Sequence, residues 1–106
     1  MSKDLAIKEA KRRKEVFESL DRYLKELKER MRELDEDSKV FLFGSVARDE
    51  HVLMSDIDVL ILTRLKPSSV IAKLRKLGFE DPFEFHVVNE EEFETYRSFI
   101  KDLREV

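Results

Sequence analysis

Between Lys3 and Leu34 the chain carries neither Pro nor Gly, and Val16, Phe17, Leu20, Tyr23, Leu24, Leu27, Met31 and Leu34 recur at spacings of three and four. That period predicts one long amphipathic helix within residues 1–36. Acid-before-base pairs four residues apart (Glu18/Arg22, Asp21/Lys25 and Glu26/Arg30) support its exposed face. The apolar stripe fits either a coiled-coil seam, hence an oligomer through this helix, or docking on the domain's own sheet. Over so few heptads, docking is the better reading.

After a polar connector at Asp35 to Ser38, the short apolar run Val40–Phe43 predicts a strand that Gly44 ends. Asp56 to Leu62 is rich in Ile, Val and Leu with no polar alternation after Asp58, the pattern of a strand buried on both faces. Pro67 opens a helix with Val70, Ile71, Leu74 and Leu77 on one side, and Gly78 closes it. Phe83, Phe85 and Val87 alternate with Glu84, His86 and Val88, which predicts a strand with one apolar face. Asn89 caps a last helix whose first turn holds Glu90, Glu91 and Glu92, and whose buried stripe is Phe93, Tyr96, Phe99, Ile100 and Leu103. The predicted order is α, β, short α, β, α, β, α.

A chain of 106 residues has room for a single domain. It divides into an N-terminal helix, 1–36, and a sheet with helices, 39–106. Charged residues reach 42%, but the apolar share is also 42% and includes eight Phe, so a packed interior is expected. The net charge of -3 offers no global attraction to nucleic acid or anionic lipid, so nucleic acid is not expected as a stable partner. Locally, residues 1–34 hold eleven Lys/Arg against eight Asp/Glu, while residues 80–106 hold three against nine. Such runs are most often solvated helix faces, including the basic run Lys11, Arg12, Arg13 and Lys14. Without Cys there is no disulfide or thiolate chemistry, and no apolar stretch approaches the roughly 20 residues of a membrane span. A cytoplasmic protein is expected, and the dense Lys/Glu/Arg content fits a thermophile's ion-pair-rich surface.

The chemistry centres on residues 44–62. Residues two apart on a strand point the same way, so Asp56 and Asp58 would present two carboxylates that repel unless a cation intervenes. Hard oxygen ligands select Mg²⁺ or Mn²⁺, typically with substrate phosphates completing the shell. Gly44 lets backbone approach a ligand, and Ser45 offers a hydroxyl and caps the short helix expected after it, whose N–H groups favour anions. Arg48 either reaches a phosphate or stays on the surface.

Joined in order, strand, Gly-Ser, ten residues, Asp-Ile-Asp and strand, the segment GSVARDEHVLMSDIDVLIL resembles the minimal nucleotidyltransferases of the DNA polymerase β superfamily. Their signature is G-S-x-A-R-G followed by S-D-I-D and an apolar residue. It is matched at Gly44, Ser45, Ala47, Arg48, Ser55, Asp56, Ile57 and Asp58. The resemblance implies an α/β (α+β) fold, a small mixed sheet with helices packed on one side, here preceded by the long N-terminal helix. It implies that Gly44 and Ser45 hold the triphosphate of ATP or another nucleoside triphosphate, and that Asp56 and Asp58 bind two Mg²⁺ ions. Two positions depart from the pattern: Asp49 stands where the family has Gly, and Glu84 stands where a third metal-binding Asp is expected. His86, on the same face as Glu84, would be a base or an additional ligand, although a lone strand His is more often structural. His51 is expected on the surface, and helix preference alone explains Glu90 to Glu92.

The resemblance opens three functions. One is transfer of a nucleoside monophosphate, AMP from ATP, to an acceptor hydroxyl. Small relatives of this kind are antitoxins of HEPN ribonuclease toxins, so the acceptor could be a partner protein. A second is neutralisation of such a partner by masking alone. A third is a domain that binds nucleotide or metal without turnover.

Overall fold

The computed structural model describes residues 3–48 and 55–106. Asp49 and His51, both singled out above, lie outside the described residues. Helices α1 (Lys3–Glu18) and α2 (Leu20–Leu34) lead into strand β1 (Lys39–Phe43), followed by β2 (Ile57–Leu62), α3 (Pro67–Lys76), β3 (Phe83–Val88), α4 (Glu90–Phe99) and β4 (Arg104–Glu105). The four strands form one mixed sheet in the order β3-β2-β1-β4. β1 runs antiparallel to β2 and β4, whereas β2 and β3 are parallel with Asp58 beside Glu84 and Leu60 beside His86. The fold class is the one expected, a mixed α+β domain with four helices on a four-stranded sheet.

Period-two alternation sorts every strand into two faces. On the first, Val40, Leu42, Ile57, Val59, Ile61, Phe83, Phe85 and Val87 meet Val16, Leu24, Leu27 and Met31 of the N-terminal helices and Val70 and Leu74 of α3. On the second, Phe41, Leu60 and Val88 pack under Phe93 of α4, with Phe43, Leu62, Tyr96 and Leu103 around them. The helices therefore cover both faces, not one side as expected. The strand after Asp58 is apolar on both faces, and α4 covers its second set of side chains.

Three further details differ from the sequence-based expectation. The single N-terminal helix is broken at Ser19, whose φ of -118° and ψ of 29° are non-helical. Backbone bonding continues across the break, from Ser19 N–H to Glu15 C=O at 3.0 Å and from Tyr23 N–H to Ser19 C=O at 3.1 Å. Serine is a weaker helix former than the Leu, Lys, Glu and Arg around it, so the local departure falls there. Secondly, α4 stops at Phe99 because Ile100 is extended (φ -94°, ψ 114°), and the chain returns as β4 beside β1. Phe99, expected in the buried stripe, is consequently 80% exposed. Thirdly, the basic run of α1 is not simply a solvated face. Arg12 pairs with Glu80 at 3.0 Å, and Arg13 pairs with Asp81 at 2.6 Å while donating to the Ser55 carbonyl at 2.8 Å.

The helix boundaries agree with their residue signals: Pro67 sits in the first turn of α3, Gly78 lies just past its end with a φ of 101°, and Asn89 and Glu92 form a reciprocal capping box at α4. At the other end of β2, the Thr63 hydroxyl donates to the Asp35 carboxylate at 2.6 Å, tying the α2–β1 connector to the sheet. That hydrogen bond holds the Asp35 carboxyl below its ordinary value of 3.8, against the opposing effect of desolvation and with help from the backbone N–H groups of Asp37 and Arg64.

Both the packing and the connector can be measured. Leu27 is fully buried and Ile7 is 47% exposed, so Leu27→Ala should cost about 3 kcal/mol in denaturant unfolding and Ile7→Ala no more than about 0.5 kcal/mol. A carboxyl lowered on folding stabilises the fold above its unfolded value, and that contribution is lost as pH falls through the folded value. The stability gap between wild type and Asp35→Asn should thus be full at neutral pH and shrink below about pH 3.8, as read by urea unfolding across the acid range.

Candidate active site

β1 ends at Phe43, opposite Asp58 of β2, and Asp58 is in turn level with Glu84 of β3. These three positions share the second face of the sheet, and His86 lies two residues beyond Glu84 on the same face. One ligand atom from each of Asp58, Glu84 and His86 lies within 4.8 Å of the others. His86 Nε2 is 3.6 Å from Asp58 Oδ1 and 3.8 Å from Glu84 Oε1. The ring meets Phe43 edge-on at 5.2 Å between centroids and Tyr96 of α4 at 6.3 Å. Side-chain exposures of 27% for Asp58 and His86 and 54% for Glu84 leave the group open to solvent on one side.

Gly44 ties this group to the turn after β1. Its φ is 81°, and a Cβ placed there would lie 2.5 Å from Asp58 Oδ2. Only glycine gives both the left-handed backbone and the room for the carboxylate. The acidic side chain entering the second strand therefore does converge on the Gly-Ser turn. After Gly44 the chain makes a hydrogen-bonded turn, with Arg48 N–H to Gly44 C=O at 3.3 Å, and no helix is formed here among the described residues.

The remaining sequence-derived candidates are distributed around this centre. Ser45 is half-buried in the turn, and Asp56 is exposed just before β2 and is not one of the three clustered residues. Ser55 is half-buried, with its carbonyl held by Arg13. Arg48 pairs with Asp102 at 2.7 Å, beside a groove of about 390 Å³ lined by Phe43, Gly44, Arg48, Phe99, Lys101 and Asp102. Sequence reasoning missed Arg13, Phe99 and Lys101. Arg13 is hidden in a charge run, and the other two reach the groove only because the last helix ends early. A basic residue near an acidic loop in three dimensions leaves no periodic signal.

The donor set fits a divalent cation. Two carboxylates supply hard oxygens, and the buried Nε2 of His86 has no hydrogen-bond partner. Asp58, Glu84 and His86 are the residues that would hold it.

The chain belongs to the nucleotidyltransferase domain family, whose pattern it matches over residues 24–106. Among solved structures it is similar to a provisionally assigned nucleotidyltransferase at 28% identity and a TM-score of 0.62, covering 83% of this chain and 98% of that one. A second, from Sulfolobus solfataricus and likewise provisionally assigned, shares 27% identity with a TM-score of 0.51, covering 85% of this chain and 84% of that one. No match to a curated protein was found. No helix among the described residues is long and apolar enough to cross a membrane.

Gly44→Ala should cost about 1–3 kcal/mol in thermal or denaturant unfolding, because it combines a left-handed alanine with displacement of the Asp58 carboxylate. It should also weaken Mn²⁺ binding about tenfold or more, read by calorimetric titration.

Proposed function

We propose that this protein transfers a nucleoside monophosphate, AMP from ATP, to an acceptor hydroxyl. The acceptor oxygen gives up its proton to solvent and forms a bond to the α-phosphorus, the bond from that phosphorus to the bridging oxygen breaks, and pyrophosphate leaves. The observation that carries the reading is the Asp58 carboxylate lying in the space that a Cβ at Gly44 would fill, in a chain of the nucleotidyltransferase family. It brings a metal-binding group against a turn suited to phosphates.

In this reading Gly44 and Ser45 hold the β- and γ-phosphates by close backbone approach and a hydroxyl. Asp56, Asp58 and Glu84 hold divalent metal, Mg²⁺ or Mn²⁺, with two ions the expected count. Metal bound there would stabilise the attacking and leaving oxygens of an in-line displacement. The groove beside Gly44 supports the placement of nucleotide, since exposed Phe99 offers a face for stacking a base and Lys101 a cation for phosphate. Arg48 stays with Asp102 and orders the wall of that groove.

In this reading the acceptor is a protein hydroxyl, that of a HEPN-type toxin for which this protein is the antitoxin. A second reading, neutralisation by masking or nucleotide binding without turnover, is favoured by one observation. Asp56 lies outside the clustered group, and the third carboxylate is the longer, more exposed Glu84.

Incubation with labelled nucleoside triphosphates, Mg²⁺ and the product of a neighbouring gene distinguishes them. Transfer of label with release of pyrophosphate is expected, and Asp58→Asn should reduce it by about 100-fold or more. If the Asp56→Asn, Asp58→Asn double variant transfers nothing yet still neutralises the partner, masking is the function.

A further inference from the structure

We infer that His86 is a direct metal ligand, and that Asp58, Glu84 and His86 together make a site that favours a transition-series divalent cation, for which Mn²⁺ serves as the probe, over Mg²⁺. The inference deepens the proposed active site and rests on it for the location of the ion, but it concerns metal identity and does not require turnover.

His86 Nε2 is buried and makes no hydrogen bond, although two carboxylates lie 3.6 and 3.8 Å away. A direct N–H···O bond would bring such atoms to about 2.7–3.2 Å. Two ligand atoms that share one ion at about 2.1–2.2 Å, with an angle between them of about 90–120°, stand about 3.0–3.8 Å apart. The observed separations are those of ligands around an ion, not of a hydrogen-bonded pair.

The ring itself is held in place. Parallel pairing puts Glu84 beside Asp58, and the two-residue period carries His86 onto the same face. Phe43 meets the ring edge-on and Tyr96 borders it from α4. An imidazole fixed between two aromatic rings, with its free nitrogen turned to two carboxylates, has lost its rotamer entropy before any ligand arrives. Such pre-ordering is what a binding site needs.

Ligand chemistry then sets the preference among ions. Mg²⁺ takes oxygen, keeps several waters and demands near-ideal octahedral geometry, whereas imidazole suits later first-row ions and adds most to their affinity. Replacing one oxygen ligand by nitrogen at a site with two carboxylates therefore shifts selection from Mg²⁺ toward Mn²⁺, Co²⁺ and Zn²⁺.

The test uses the full-length protein without nucleotide. Calorimetric titration with Mn²⁺ and with Mg²⁺ should give at least about tenfold tighter Mn²⁺ binding, and electron spin-echo spectra of bound Mn²⁺ should show coupling to an imidazole nitrogen. His86→Ala should abolish that coupling and weaken Mn²⁺ about tenfold or more while changing Mg²⁺ binding by less than about threefold. His86→Gln keeps a polar side chain of similar reach and should lose the nitrogen coupling as well. Circular dichroism and thermal unfolding of both variants confirm that the fold is kept. Wild-type Mn²⁺ spectra without nitrogen coupling, or equal Mn²⁺ affinity in wild type and a folded His86 variant, would overturn the inference. Loss of nucleotidyl transfer with the nitrogen coupling intact would count against the proposed function and leave the metal assignment standing.

Discussion

The parallel pairing of β2 with β3, in register at Asp58 and Glu84, decides what this sheet can do. Shifting that register by one residue would exchange Glu84 and His86 for Phe83 and Phe85, so the face turned to Asp58 would become apolar. The register is held from the first face, where Ile57, Val59, Ile61, Phe83, Phe85 and Val87 are buried against the helices. The polar group is thus positioned by hydrophobic burial on the opposite side of the same strands. Antiparallel pairing of β1 adds the last component by ending that strand at Phe43, level with Asp58, so that Gly44 falls against the carboxylate.

The second face is divided along the strands. Toward the C-terminal ends of β2 and β3, Leu60, Leu62 and Val88 with Phe41 accept Phe93 and Tyr96 of α4. Toward their beginnings, Asp58 and Glu84 keep partial exposure, and His86 sits at the edge of that cover beside Tyr96. Early termination of α4 at Phe99 sends the chain to β4 and leaves room beside Gly44. A helix continued to Leu103 would not have paired Arg104 and Glu105 with β1.

Much of this is legible in the sequence where the signal is periodic or stereochemical. β1, β2 and β3, α3 with its Pro and Gly boundaries and the Asn89 cap all derive from spacing and residue type. Less is legible where tertiary contact decides. Ser19 differs little from its neighbours in a helical pattern, and its departure shows only once α1 reaches Glu80 and Asp81 through Arg12 and Arg13. β4 has two exposed residues and no alternation to announce it. For the site, the sequence groups Asp56, Asp58 and Glu84 with His86 on the same face as Glu84, and cross-strand pairing gathers Asp58, Glu84 and His86 of that set into one cluster.

Arg13 links these levels. Its side chain is only 15% exposed, and it joins Asp81, just before β3, to the carbonyl of Ser55, just before β2. Both strands that carry the acidic residues are therefore gathered at their starts by one guanidinium from α1. A charge-assisted bond to a carboxylate plus one to a backbone carbonyl has more geometric content than an exposed ion pair, since the planar fork must satisfy both acceptors at once. The α1 helix, which contributes little apolar surface beyond Val16 and Phe17, is consequently part of the scaffold of the site. A change that weakens its docking removes the clamp that joins the starts of β2 and β3.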